Sequence, residues 1–239
     1  MATSQPTLAV GRGLVAVRAT LLSSTGTRTN CGVADTSAYS LCAQSVEPSL
    51  QTDAGETQTI ECGTGTVRST FTTDDTDTGI DITLNLVEDD IELQWLLVGG
   101  SQLLSAGDII GIAPRAPGVT APVFEFHAWE QMYDSAALAG ELPYTHHCWA
   151  FCTNARIGDK TLQSGFNVVP ITFAAQGATG SSIGNGSFLD IPVEAFDGDS
   201  DGGFYAKWRV GLSDLPASDT SPYNNGLGGG FISTPACSS

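Results

Sequence analysis

The sequence has few basic residues, and this scarcity limits the partners it can bind. Only nine of its 239 residues are Lys or Arg, against 26 Asp and Glu, which gives a formal net charge of -17. A protein that holds nucleic acid neutralises its phosphates with basic side chains, whereas a chain this acidic repels the polyanion. We therefore expect no tight binding of nucleic acid. A surface along which DNA passes without being bound would nevertheless carry a negative charge of this kind.

The sequence also lacks an export signal and a long apolar run. Residues 1–17 have neither the basic start nor the apolar core of a secretion signal, and no run approaches membrane-spanning length. We expect a cytoplasmic product with no membrane partner, in which the six cysteines stay reduced. Pairing among Cys31, Cys42 and Cys62 is the alternative in an oxidising setting, because these three lie in a loop-rich region.

Motifs for catalysis are absent, so we expect no enzyme, no catalytic residue and no cofactor. The sequence has no GxSxG, HExxH or Walker motif, and no GxGxxG between a strand and a helix. His127 lies near Glu125 on a predicted strand and could form a base and acid pair with it. A half-buried packing role is the commoner one for a lone strand histidine.

Two stretches have residue types found in metal sites, but neither predicts one. His146, His147, Cys148 and Cys152 fall within seven residues and are of the types that bind zinc. On a strand, however, His146 and Cys148 share one face while His147 lies opposite, and buried cysteines beside aromatic residues are commoner. Residues 197–202 open like a calcium loop, but Glu is missing at position twelve, which favours a solvated acidic turn.

Residues 79–100 hold the clearest strand and the clearest helix side by side. Apolar and polar residues alternate over 80–86, which predicts a strand with one buried face. Asp89 as N-cap and Glu92 three residues later predict a helix over about 89–98, which the following two glycines end. Its apolar residues cover nearly the whole circumference, so this helix either is wedged into a larger core or contacts another subunit.

The rest of the chain predicts a single mainly β domain over residues 1–239, because Gly, Ser and Thr are abundant. We expect a flexible arm at 1–7, a long irregular loop at 23–58 and an irregular C-terminal arm at 211–239. An acidic turn at 74–79 is expected to join the strand at 59–73 to the next one as a hairpin. Further strands or short apolar runs are predicted at 8–22, 107–112, 122–132, 144–153, 161–176, 188–193 and 204–210.

The order of these segments is specific in combination. The chain begins with a strand, a long loop and a hairpin. The strand and helix IDITLNLVEDDIELQWLLVGG come next. They are followed by the strand FEFHAWEQMY and, late in the chain, by GFYAKWRVGLSDLPAS. This order resembles the major tail tube protein of long-tailed, siphovirus-type bacteriophages. The resemblance spans roughly residues 8–217, apart from 23–58, which has no counterpart.

The resemblance implies a β-sandwich or barrel-like core with one short flanking helix, and hexameric rings that stack into a hollow tube. In that family the inward strands of six subunits form one barrel around an acidic lumen, through which DNA is ejected without specific binding. Its partners are other copies of itself and the tape measure, tail terminator and distal tail or baseplate proteins. It is found in the virion tail, and in the host cytoplasm during assembly.

By the same resemblance, residues 80–86 belong to the core sheet, 90–98 to the flanking helix and 40–59 to a contact between rings. An all-round apolar helix and a long loop that becomes ordered on assembly suit this interpretation. The candidates for the subunit interface are Ile91, Trp95, Val98, Tyr39, Leu41, Val46 and Leu50.

Two other classes remain open. Another virion component, such as a capsid decoration or tail-tip protein, would share the acidity and the β-rich composition. A carbohydrate-binding or adhesion module would use Trp95, Trp129, Trp149 and Trp208 as stacking platforms, although aromatic residues in such strands are more often core.

Overall fold

Thirteen strands and one helix make up the part of the chain that the computed structural model describes, which confirms the prediction of a mainly β protein with one short helix. The described residues are 10–22, 37–55, 57–61, 67–72, 74, 76–87, 90–106, 108–113, 115–133, 144–159, 168–176, 205–210 and 230–232. The elements are β1 Val10–Leu22, β2 Ser37–Ser40, β3 Ala43–Asp53, β4 Thr57–Glu61, β5 Val67–Thr72, β6 Thr76–Leu86, α1 Ile91–Val98, β7 Ser101–Ser105, β8 Asp108–Ala113, β9 Val123–Tyr133, β10 Tyr144–Ile157, β11 Val169–Ala175, β12 Tyr205–Val210 and β13 Gly230–Ile232.

Nine of the strands form one antiparallel sheet in the order β13, β2, β1, β9, β10, β11, β6 and β3, with β12 also paired to β10. The long strand β10 changes partner along one edge: residues 144–149 pair with β12, and residues 152–157 pair with β11. At this change Phe151 and Asn154 adopt φ values of 52° and 60°, which residues other than Gly rarely do. The sheet is therefore irregular near its middle, where such distortions increase bending and twist.

The sheet curves around one hydrophobic core. Ala38 on β2 and Leu84 on β6 are buried in the same cluster, although four strands lie between β2 and β6 in the sheet. At its centre the Phe173 ring meets Phe124 and Phe126 edge-on, with centroids 5.3 and 4.9 Å apart. Among the described strands, β13 and β3 are the two ends of the sheet and do not pair with each other. The core is thus barrel-like but open.

The predicted strand and helix at residues 79–100 are confirmed. Alternate apolar residues of β6, from Ile80 to Leu86, are buried, and the helix α1 follows. Asp90 is the N-cap and its side chain makes no capping hydrogen bond, so the predicted capping box is not formed by that residue. Asp89 itself lies outside the described residues. Gly99 ends the helix at a φ of 73°, and its N–H donates to the Trp95 carbonyl at 2.8 Å.

The prediction of a long irregular loop at 23–58 is wrong over its described part, which contains β2, β3 and the start of β4. Residues 23–36 lie outside the described residues. Strand β3 pairs with β6 from Ala43 opposite Leu86 to Asp53 opposite Thr76. It is an edge strand exposed on both faces from Glu47 onward, so its residues show no apolar alternation. Within the predicted irregular arm at 211–239 only residues 230–232 are described, and they form β13, which pairs with β2.

The predicted hairpin between residues 59–73 and β6 is also wrong. Strand β5 pairs with β4 in a separate two-stranded sheet. The neighbours of β6 are β3 on one edge and β11 on the other, which leaves no free edge for β5. The arm at 1–7 and the strand predicted at 188–193 lie outside the described residues.

Candidate functional site

The helix residues predicted to contact another subunit are partly buried within their own subunit. Trp95 and Val98 pack against the main core, and the Trp95 indole N–H donates to the Gly100 carbonyl at 3.2 Å. Ile91 is also half-buried. The helix is therefore wedged into the subunit, while these three side chains keep part of their surface accessible.

The other predicted interface residues differ widely in exposure. Tyr39 is only 2% exposed, and burial, followed by the nearby Asp90 charge, raises the pKa of its phenol. Leu41 and Val46 are half-buried. Leu50 on β3 is 54% exposed. Within this group, Leu50 therefore presents the widest apolar surface and Tyr39 is a core residue.

The hairpin formed by β7 and β8 exposes more apolar surface than the helix does. Leu103 is 49% exposed, Leu104 59% and Ile110 61%. The hairpin begins directly after the helix, and a Cβ added at Gly100 would collide with the carbonyl oxygen of Ala113. The close contact between Gly100 and Ala113 fixes the base of the hairpin, while its apolar side chains face outward.

Strand β3 offers a second surface for contact. Its outer edge has no partner strand among the described residues, and Pro48, which lacks an N–H, lies within it as edge strands permit. A long, exposed edge is a site at which another strand can add. This surface includes Leu50.

A cavity of about 330 Å³ lies between β3 and the face formed by β9, β10 and β12. It combines an aromatic and aliphatic wall with a few polar groups, which is the usual composition of a binding cavity. Its lining residues on β3 are Gln44, Ser45, Val46 and Pro48, and those opposite are Leu14, Ala128, Glu130, His147, Trp149 and Tyr205.

A short polar chain crosses the wall of this cavity. Glu130 Oε2 lies 3.5 Å from His147 Nε2, and His147 Nδ1 lies 2.7 Å from the Tyr205 hydroxyl oxygen. Burial lowers the pKa of His147 despite the Glu130 charge, and burial raises the pKa of Tyr205. A neutral imidazole is thus favoured, with Nε2–H toward the carboxylate and Nδ1 accepting from the phenol.

The opposite face of β1, β9 and β10 carries a buried polar network. Arg18, Glu125 and His127 are fully buried, and His146 is 2% exposed. Arg18 Nη2 lies 3.8 Å from Glu125 Oε1, and the same oxygen lies 3.3 Å from His127 Nε2. His127 Nδ1 lies 2.9 Å from His146 Nε2, and the His146 ring stacks on Trp129 at 4.3 Å. Strands β9 and β10 are therefore buried on both faces, as the sequence predicts for β9.

The geometry of this network does not match a nucleophile with its base. Cys148 Sγ lies 4.0 Å from His127 Nε2, the same nitrogen that faces Glu125. One nitrogen cannot donate to the carboxylate and accept the thiol proton at the same time. The hydrogen bond between the two histidines also needs one nitrogen without a proton, so at most one ring is charged.

The described structure brings together only some of the residues considered as metal ligands. His146 and Cys148 share one face of β10 and His147 lies on the other, as predicted. Within the described ranges, no group of three or more His, Cys, Asp or Glu could hold a metal ion. Cys152 is free, and burial raises the pKa of its thiol well above the usual value, which disfavours the thiolate that metals bind. The calcium-like stretch at 197–202 lies outside the described residues.

The tryptophans proposed as sugar-stacking platforms offer little open surface. Trp129 is fully buried and Trp149 is 3% exposed. Within the described part of the chain, neither indole N–H has a hydrogen-bond acceptor. Trp95 is half-buried, and the side chain of Trp208 lies outside the described residues. These positions therefore give little support to a carbohydrate-binding module.

The chain matches no protein-family model, and no curated protein is significantly similar to it. No helix in the described part of the chain is long and apolar enough to cross a membrane.

Sequence reasoning did not find the hairpin or the cavity. Strand β7 has no sequence signal, since SQLLS is too short to show a period, and the apolar run of β8 alone does not predict a hairpin. The cavity joins residues from five strands that are distant in sequence. A usable signal was the Ala-Gly-Asp sequence between LLS and IIGIA, which is typical of a tight turn between two strands.

Proposed function

We propose that the protein is a non-enzymatic structural component of a virion, which self-assembles into stacked, hexameric rings that form the hollow tail tube of a long-tailed bacteriophage. The observation that carries this proposal is the exposed apolar surface of the hairpin β7–β8, together with the edge strand β3, which exposes Leu50 and has a partner strand on only one side among the described residues. Such surface on a strand edge and a protruding hairpin promotes association between chains.

The charge of the chain supports the same proposal. A net charge of -17 disfavours a tight grip on DNA, and a channel of this sign lets a polyanion slide through. The open sheet suits a ring, because the edges that have no partner strand in the described part of one subunit can be covered by the next subunit. The proposed partners are further copies of the chain and the tape measure, terminator and distal tail or baseplate proteins, with DNA passing through the lumen.

Electron microscopy and sedimentation test this proposal directly. The purified protein is imaged in negative stain and sedimented from micromolar concentration upward. Rings or hollow tubes with an axial channel are expected, together with a sedimentation coefficient that rises with concentration. A monomer at every concentration would contradict self-assembly. Closed compact oligomers without a channel would favour the capsid-decoration alternative.

A further inference from the structure

The β7–β8 hairpin presents apolar side chains that its own subunit leaves uncovered. Leu103 and Leu104 follow each other on β7 at a register shift of the hairpin, where Leu103 pairs with Gly111 and Leu104 with Ile109. Both are about half exposed or more, at 49% and 59%, and Ile110 on the partner strand is 61% exposed. Covering these three side chains would remove apolar surface from water, which is favourable.

The cavity between β3 and β12 has the chemistry of such a surface. Its apolar lining comes from Leu14, Val46, Pro48, Trp149 and Tyr205. A dry cavity of about 150 Å³ holds one benzene ring. A cavity of about 330 Å³ therefore has room for about two aliphatic side chains.

Charge also favours the pairing of these two surfaces. The hairpin sequence from Ser101 to Ala113 contains one acid, Asp108, and no base. Strand β12, which contributes Tyr205 to the cavity, exposes Lys207 and Arg209, two of the nine basic residues of the chain. Each copy has a net charge of -17, so two copies repel each other. Contact between a hairpin of low charge and a basic strand avoids much of this repulsion.

We propose that the exposed apolar side chains of the β7–β8 hairpin of one copy, led by Leu104, occupy the β3–β12 cavity of a second copy. The contact is heterologous, because the hairpin and the cavity are different surfaces of one chain, and such contacts form rings when the rotation closes. The inference rests on the proposed self-assembly and adds to it the lateral contact between neighbours.

Cross-linking between two singly substituted proteins tests this contact. Leu104→Cys protein is mixed with Gln44→Cys protein under assembly conditions and oxidised, and the linked peptides are identified by mass spectrometry. The 44–104 linkage is expected to exceed every linkage formed with Val119→Cys in place of Leu104→Cys. Val119 is a matched control because it is 57% exposed and belongs to the irregular stretch between β8 and β9, not to the hairpin. Linkage of position 104 to another part of the neighbour, or no excess over the control, would overturn the cavity as the receptor.

A charge introduced on the hairpin gives a second measurement. Leu104→Glu should raise the concentration needed for assembly by about tenfold or more, because a buried leucine contact is lost. Val119→Glu should change that concentration by about twofold or less. If wild-type rings form and Leu104→Glu assembles as readily as Val119→Glu, the hairpin contact is wrong and self-assembly stands. If the wild type never assembles, the proposed function fails and this contact with it.

Discussion

Removing the Glu125 charge from the buried polar network should destabilise the subunit strongly. Glu125 and Arg18 are both fully buried on adjacent strands of the sheet. Glu125→Gln keeps the size of the side chain but removes the negative charge that lies 3.8 Å from Arg18 Nη2. A buried ion pair that loses one partner is typically destabilised by about 3–5 kcal/mol.

The distance between the two groups gives a similar magnitude. At 3.8 Å and an effective dielectric constant of about 20, the Coulomb attraction between the pair is about 4 kcal/mol. The Oε1 atom also faces His127 Nε2 at 3.3 Å, so the substitution weakens a second contact. For a chain of this size, about 4 kcal/mol corresponds to a fall in Tm of roughly 8–16 °C.

Chemical and thermal unfolding followed by circular dichroism measures this loss. The matched control is Glu47→Gln, which removes an exposed acid on β3 and should change the unfolding free energy by about 0.5 kcal/mol or less. The double variant Arg18→Met with Glu125→Leu removes both charges and should recover most of the stability. The reasoning is refuted if Glu125→Gln is as stable as Glu47→Gln, or if the double variant is as unstable as the single one.

Three further results are expected. Gly100→Ala should destabilise the junction between helix and hairpin, because Gly100 has a φ of 117° and a Cβ there collides with the Ala113 carbonyl; faster hydrogen exchange in β7 and β8 would report it. Leu97→Ala should lower the unfolding free energy by about 2–5 kcal/mol in urea melts, since Leu97 is fully buried, whereas Val119→Ala should have little effect. Burial lowers the pKa of His147 in the folded state, so its contribution to stability is present above pH 6.5 and is lost as the pH falls through the folded pKa. His147→Gln should therefore reduce the loss of unfolding free energy between pH 7.5 and pH 5, measured by urea melts at each pH.

The central strands and the helix could be predicted from sequence because each has a strong local pattern. In β6 the alternation of apolar and polar residues matches a strand with one buried face. In β9 the side chains on both faces are buried. Its sequence places apolar residues on both faces, which indicates a strand covered on both sides. The pairing of β6 with β3 and β11 could not be predicted, because pairing depends on contacts between distant segments.

The candidate site was harder to predict, for a physical reason. Strand β3 is exposed on both faces from Glu47 onward, so neither face carries an apolar pattern and its sequence has the composition of a loop. Apolar character makes both Leu50 and Tyr39 candidates for the interface, yet Leu50 is exposed and Tyr39 is buried. Apolar identity alone does not distinguish a core residue from an interface residue, because both lose their contact with water.

The buried polar network, although costly to stability, has a structural role that follows from its position. It lies on β1, β9 and β10, and the other face of the same strands packs into the apolar core. A shift of β9 by one residue would place Glu125 and His127 in that core and Phe126 in the network, so only one register satisfies both faces. We infer that the network fixes the register at the centre of the sheet. The double variant at Arg18 and Glu125 should therefore recover unfolding free energy yet lose hydrogen-exchange protection along β1 and β9, and full protection in that variant would show that the apolar face alone sets the register.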